Sequence, residues 1–162
     1  MCRTDIRNDS DIETLMNEFY GFHDSCIVSL SYQSGNFVDE NGGMGCGDLG
    51  SHIILMRVDS QFGKRLEMRF TGVRKCLLTG FQDNYFCNLY DATLEFRSDL
   101  LGKTRDDKLI VWADRSGFDP TVYQERYPLN NGYEVTYIIA EKLSYRFLDG
   151  GVYNEKNLSD ST

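Results

Sequence analysis

The run Arg65-Leu66-Glu67-Met68-Arg69-Phe70 alternates charged and apolar residues without a break. Successive side chains of a strand point to opposite faces of its sheet, so this period of two buries Leu66, Met68 and Phe70 and leaves the charges in water. The chain must therefore build a sheet with one covered and one wet face. The same period recurs upstream, where Ile54, Met56 and Val58 share a face opposite Arg57. Residues 60–64 between the two runs are few enough to join them as a hairpin. Before them, Cys26, Val28, Leu30 and Tyr32 are expected to share one strand face. Further strands are expected over 75–82, 88–97 and 108–113, and along a run from 132 to 147. There Tyr133, Val135, Tyr137 and Ile139 alternate with Glu134 and Thr136, after an Asn131-Gly132 turn signal.

One segment has a different period. Ile12, Leu15, Met16, Phe19 and Tyr20 recur at helical spacing and make one apolar stripe. Ser10 and Glu13 match a capping box before it, Asp9 and Asp11 suit the positive end of its dipole, and Gly21 can close it. The expected fold class is α+β, mostly β: a curved antiparallel meander, either sandwich or open barrel, with this amphipathic helix packed on it. Two long loops interrupt the pattern, a glycine-rich one over 33–50 and one over 114–131 that holds Pro120 and Pro128. Residues 1–150 are read as a single domain and 151–162 as a loose polar tail.

With 17 Lys+Arg against 25 Asp+Glu, the chain carries a formal charge of −8. That disfavours nucleic acid, whose phosphates it repels. A hydrophobic content of 41% excludes a disordered chain. Residues 1–7 show no apolar run of the signal-peptide kind, and no stretch of apolar residues is long enough to span a membrane. The cysteines (Cys2, Cys26, Cys46, Cys76, Cys87) are odd in number and form no C-x-x-C pair, which fits free thiols in a cytoplasmic protein. Cys26, Cys76 and Cys87 are expected in or near the core and Cys46 at the surface.

His23-Asp24 is the first candidate for chemistry. With His52 the only other histidine, a multi-histidine metal centre cannot be assembled, and no metal or other cofactor is expected. The short Asp24 side chain is also suited to tie a turn between helix and strand. The glycine loop around Gly42-Gly43-Met44-Gly45 lacks the Lys and Ser/Thr of a phosphate cradle and runs into a strand instead, so it reads as a flexible, partner-contacting connection. Asp114 and Asp119 bracket a segment that lacks the spacing of a calcium loop. Trp112, Tyr123 and Tyr127 stand near loops, where such side chains commonly anchor protein interfaces. An acidic surface with aromatic anchors suits a basic protein partner. The candidate binding residues are thus His23, Asp24, Trp112, Asp114, Asp119, Tyr123 and Tyr127, with no catalytic set assigned.

The segment Phe19-Tyr20-Gly21-Phe22-His23-Asp24-Ser25-Cys26-Ile27-Val28-Ser29-Leu30 resembles an aromatic-x-His-Asp-Ser-x-Ile-x-x-Ile/Leu pattern of small bacterial proteins. Some of those are grouped with the immunity proteins of polymorphic-toxin systems. The likeness covers residues 19–30 together with the strand pattern that follows. It implies a non-enzymatic domain that binds and blocks a cognate toxin, and it carries over no binding residue. Two other readings compete. One is a small hydrolase that uses His23 and Asp24 with a carboxylate from 114–119. The other is a module that homo-oligomerises through its edge strands.

Overall fold

The computed structural model describes residues 2–80, 88–101, 107–123 and 134–148. The readings placed on Gln82, Cys87, Tyr127, Pro128, the Asn131-Gly132 turn, Tyr133 and the 151–162 tail lie outside them. In chain order the elements are β1 (Thr4–Ile6), α1 (Asp9–Glu18), β2 (Ser25–Gln33), β3 (Phe37–Val38), β4 (Met44–Gly45), β5 (Ile53–Ser60), β6 (Arg65–Leu77), β7 (Asn88–Leu89), β8 (Thr93–Arg97), β9 (Leu109–Ala113) and β10 (Tyr137–Leu148). All but β3 and β4 belong to one antiparallel sheet in the order β7-β2-β5-β6-β10-β9-β8, with β1 also paired to β10. The chain's last described strand therefore lies in the middle of the sheet, between β6 and β9, and not at the end of a simple meander.

The sheet is strongly curled into a half-barrel, and its connectivity shows why. Strands β7 and β8 stand at opposite ends of the strand order, yet only residues 90–92 separate them in sequence. An extended chain advances at most about 3.6 Å per residue, so the two ends of the sheet lie within about 14 Å of one another there. Of the two expected architectures, the open barrel is the one formed.

Inside the curl, the alternating strands deliver the faces read from their period. Ile54, Met56, Val58, Leu66, Met68 and Phe70 are all fully buried, in the registers Ile54↔Phe70, Met56↔Met68 and Val58↔Leu66. Helix α1 lies over them through Ile12 and Leu15, with Phe19 and Phe22 beyond its end. Full burial of such side chains contributes roughly 1.5–3 kcal/mol each. Strand β9 reads Leu-Ile-Val-Trp-Ala because both of its faces are covered. Ile110 and Trp112 enter the inner core, while Leu109, Val111 and Ala113 join Phe118, Val135, Tyr137 and Ile139 in a second cluster on the other face.

Four expectations need correction. The capping box belongs to Asn8 and Asp11, two residues before the Ser10–Glu13 pair, because β1 ends at Ile6 and the chain turns into the helix at once. In β2 a bulge between Ile27 and Ser29 reverses the alternation, so Ile27 and Leu30 pack on the core and Val28 is exposed. Residues 75–77 complete β6 and do not start a new strand, and 88–97 is two strands. Finally, Cys76 is exposed, like Cys2 and Cys46, with Cys26 half-buried.

Candidate functional site

The segment that joins α1 to β2 has an unusual backbone. Tyr20, Gly21, Phe22 and Asp24 all lie in the left-handed region, at φ of 55°, 63°, 65° and 53°. For residues with a Cβ this conformation is disfavoured and persists only where the surroundings over-determine it. Here they do. Phe22 is fully buried against Phe19 and Trp112, at ring-centroid distances of 5.1 and 5.9 Å. Ser25 Oγ donates to the Phe22 carbonyl at 2.6 Å. Tyr20 rests on Phe62, at 5.0 Å, beneath the Lys64 ammonium. The Gln61 backbone N–H donates to the Asp24 carbonyl at 2.9 Å, and the Gln61 side-chain amide donates to the Asp24 carboxylate.

These contacts set up the His23–Asp24 pair. Its Nδ1 lies 2.8 Å from Asp24 Oδ2, with the imidazole 59% exposed and the carboxylate 31%. Beside Asp24 opens a cavity of about 280 Å³, bordered by Cys26, Asp59, Gln61, Asn88 and Tyr90. Asp59 is buried and flanked by Arg57 and Arg65 at 3.4 and 3.3 Å, which commits its charge. The nearby hydroxyl of Ser25 is already given to the Phe22 carbonyl. The arrangement orients an imidazole at the surface, but the hydroxyl and carboxylate nearest to it are spent on holding the turn. Among the described residues, no three His, Cys, Asp or Glu side chains are grouped closely enough to hold a metal ion.

The other expected site residues lie elsewhere. The loop that leaves β9 is stapled across the second cluster: Asp114 N donates to the Thr136 carbonyl and Thr136 N to Asp114 Oδ1, both at 3.0 Å. Phe118 plugs the cluster, and its N–H donates to Thr93 Oγ1 at 3.0 Å. Asp119 accepts from the N–H and hydroxyl of Thr121, at 2.9 and 2.7 Å, and from Arg97 at 3.2 Å. Those Thr121 hydrogen bonds, with Arg97 behind them, hold the Asp119 carboxyl below the usual range and make it a weak base. Tyr123 donates to Glu134 at 3.0 Å and packs edge-on against Tyr137. Trp112, expected as a surface anchor, is instead fully buried, and its indole N–H has no acceptor among the described residues. The structure thus brings His23 to Asp24 and gathers Asp114, Asp119 and Tyr123 in a different loop. Asp114 and Asp119 are committed to that loop.

Among the described residues a group of exposed apolar side chains lies in the glycine-rich segment, which the sequence reads as a flexible, partner-contacting connection without naming Phe37 or Val38 as contact residues. The glycine-rich segment is not a slack connection: β3 and β4 pair within it as a hairpin, Phe37↔Gly45 and Val38↔Met44. Asp39 Oδ1 accepts from the N–H groups of Asn41 and Gly43, at 2.9 and 2.7 Å, and shapes the tip. The Phe37 ring lies over Gly45, where a side chain at residue 45 would displace it. At the base Gly47 N donates to the Gly35 carbonyl at 3.1 Å. The finished arm exposes Phe37 by 55%, Val38 by 67% and Met44 by 90%. Three exposed acids, Asp39, Glu40 and Asp48, stand on the same segment.

Fold and surface together define a curled antiparallel half-barrel, filled by one helix, that carries an ordered apolar arm edged with acids. Comparison with protein-family models, with curated proteins and with solved structures finds no match.

Proposed function

We propose that the chain is a non-enzymatic protein-binding domain, an immunity-type inhibitor that holds a basic bacterial toxin. The observation that carries this reading is the β3–β4 hairpin. It presents Phe37, Val38 and Met44 to solvent on a hydrogen-bonded scaffold, which is costly in water and favourable once a partner covers it. Asp39, Glu40 and Asp48 beside them, in a chain of net charge −8, favour a positively charged partner and speed its approach. The resemblance of residues 19–30 to small bacterial proteins, some of them grouped with immunity proteins, agrees with this, although Asp24 and Ser25 of that segment serve the helix-to-strand turn.

The test is capture from a lysate of the source cells, at low and high salt, with wild-type chain and with a Phe37→Ser/Met44→Ser variant. The wild type is expected to retain one basic protein in near-stoichiometric amount. The variant, unchanged in melting temperature, is expected to lose it, since truncating central apolar anchors costs roughly 2 kcal/mol or more each. In addition, Asp39→Lys/Glu40→Lys should slow association and reduce its salt dependence. A partner held equally by all variants overturns the role of the hairpin, and a partner that is acidic overturns the reading as a whole.

A further inference from the structure

Among the described residues, nearly every cation is engaged. Arg3 and Arg146 share Glu67, Arg57 and Arg65 flank Asp59, Arg7 meets Asp5, Arg74 meets Glu141, and Arg97 holds three acids. Lys64 and Lys75 lie over aromatic rings, and Arg115 has an interaction of its own. Three side chains, Arg69, Lys108 and Lys142, have no acid, carbonyl or ring as partner among the described residues. All three line the same cavity, of about 610 Å³.

The cavity arises from the strand registers. Strand β9 accompanies β10 as far as Ala140, and β1 joins the same side of β10 only at Leu143. Among the described residues no strand pairs with Glu141 and Lys142 on that side, which leaves a slot between β9 and β1. Its inner wall is apolar, made by Ile6, Phe96 and Leu143, all of which belong to or pack on the core. Its outer rim holds Arg69 and Lys142, with Thr71 and Ser144 as hydroxyl donors. Of the acids that line it, Asp5 and Glu141 are neutralised by their arginines, and Asp9 faces the three uncompensated cations.

We propose that this slot binds a small amphiphilic anion, an aliphatic or aromatic body that ends in a carboxylate or phosphate. The volume is that of a small-molecule site, with Ile6, Phe96 and Leu143 as one apolar wall and polar or charged side chains over the rest of the lining. The Arg69 guanidinium can fork onto two oxygens of one oxyanion, and the lysines add point charges. An anion there adds charge opposite to that of Arg69, Lys108 and Lys142, which share the cavity with Asp9 as the one acid not held by an arginine. The inference is independent of the hairpin reading, since it uses other residues and charge of the opposite sign.

The probe is anilinonaphthalene sulfonate, whose fluorescence rises in an apolar site, titrated into the whole chain. Expected is saturable one-to-one binding that Arg69→Gln/Lys142→Gln weakens by about tenfold or more, while Phe37→Ser on the exposed hairpin leaves it unchanged. Amide shifts on wild-type chain should fall at Ile6, Thr71 and Lys142, a readout independent of how well the variants fold. Octyl phosphate and octanoate then compete: displacement by the first assigns a phosphate ligand, and by the second a carboxylate. Non-saturable binding, binding lost with Phe37→Ser, shifts confined to the hairpin, or displacement by neither competitor overturns the proposal.

Discussion

Glu67 is the residue on which the outer face of the sheet turns. Its carboxylate accepts from Arg3 at 2.5 Å and Arg146 at 2.6 Å, and its side chain is only 14% exposed. Burial works to raise its pKa; the hydrogen bonds and charges of Arg146 and Arg3 outweigh this and leave the carboxyl below its ordinary value of 4.5. The folded state therefore binds this proton less tightly than the unfolded chain does. The stability gained is complete above the ordinary value and drains away as pH falls through and below it. Glu67→Gln is expected to cost about 1.5–3 kcal/mol at neutral pH, the worth of hydrogen bonds to a charged group. It should also flatten the loss of stability between about pH 6 and about pH 3. Denaturant melts of both chains across that range measure it, and parallel curves would place the acid sensitivity at another carboxylate.

At the scale of elements, the turn between α1 and β2 separates backbone from side-chain causes. Asp24 stands at φ 53° and its carboxylate serves His23 and Gln61. Asp24→Ala and Asp24→Gly both remove the carboxylate, but only glycine adopts the left-handed conformation freely. The glycine variant should be the more stable by about 1 kcal/mol, reversing the usual order of the two residues. In a domain of this size that is about 2–4 °C in melting temperature. Equal melting points would mean that the turn relaxes without cost. This element also marks how far the sequence could be read. The long strands and α1 were legible because Leu66, Met68 and Phe70, or Ile12 and Leu15, repeat with one clear period. Ser10-Glu13 matches the capping pattern, but the box forms at Asn8 and Asp11, which do not match it, because β1, three residues with no period of their own, ends just before them. The bulge at Val28 left no trace, because apolar residues lie on both sides of it. Strands β3 and β4 are two residues each, too short for any periodicity, so the hairpin that they form passed for a loop. Arg69, Lys108 and Lys142 meet only through the offset between β9 and β1 along β10, which no local pattern encodes.

For the whole molecule the question is whether two clusters make one cooperative unit. Strands β9 and β10 alternate between them: Ile110, Trp112, Ile138 and Ala140 face the inner core, and Val111, Tyr137 and Ile139 the outer cluster. Neither cluster can lose these strands without stripping the other, so unfolding should be a single transition, as is usual for domains of this length. The chain offers its own probes. Trp112 is the one tryptophan, fully buried against Phe22, and reports the inner core. Tyr123 and Tyr137 pack with Phe118, and the part of the tyrosine signal that Tyr123→Phe removes reports the outer cluster, since Tyr145 lies in the inner core. Tryptophan emission, the tyrosine signal in near-ultraviolet circular dichroism, and far-ultraviolet ellipticity should share one midpoint in a urea titration. Emission should shift to the red only there. Loss of the Tyr123 part of that signal at lower urea would make the loop after β9 a separate unit that opens before the barrel does, and would remove the rigid support on which Asp114, Asp119 and Tyr123 are displayed.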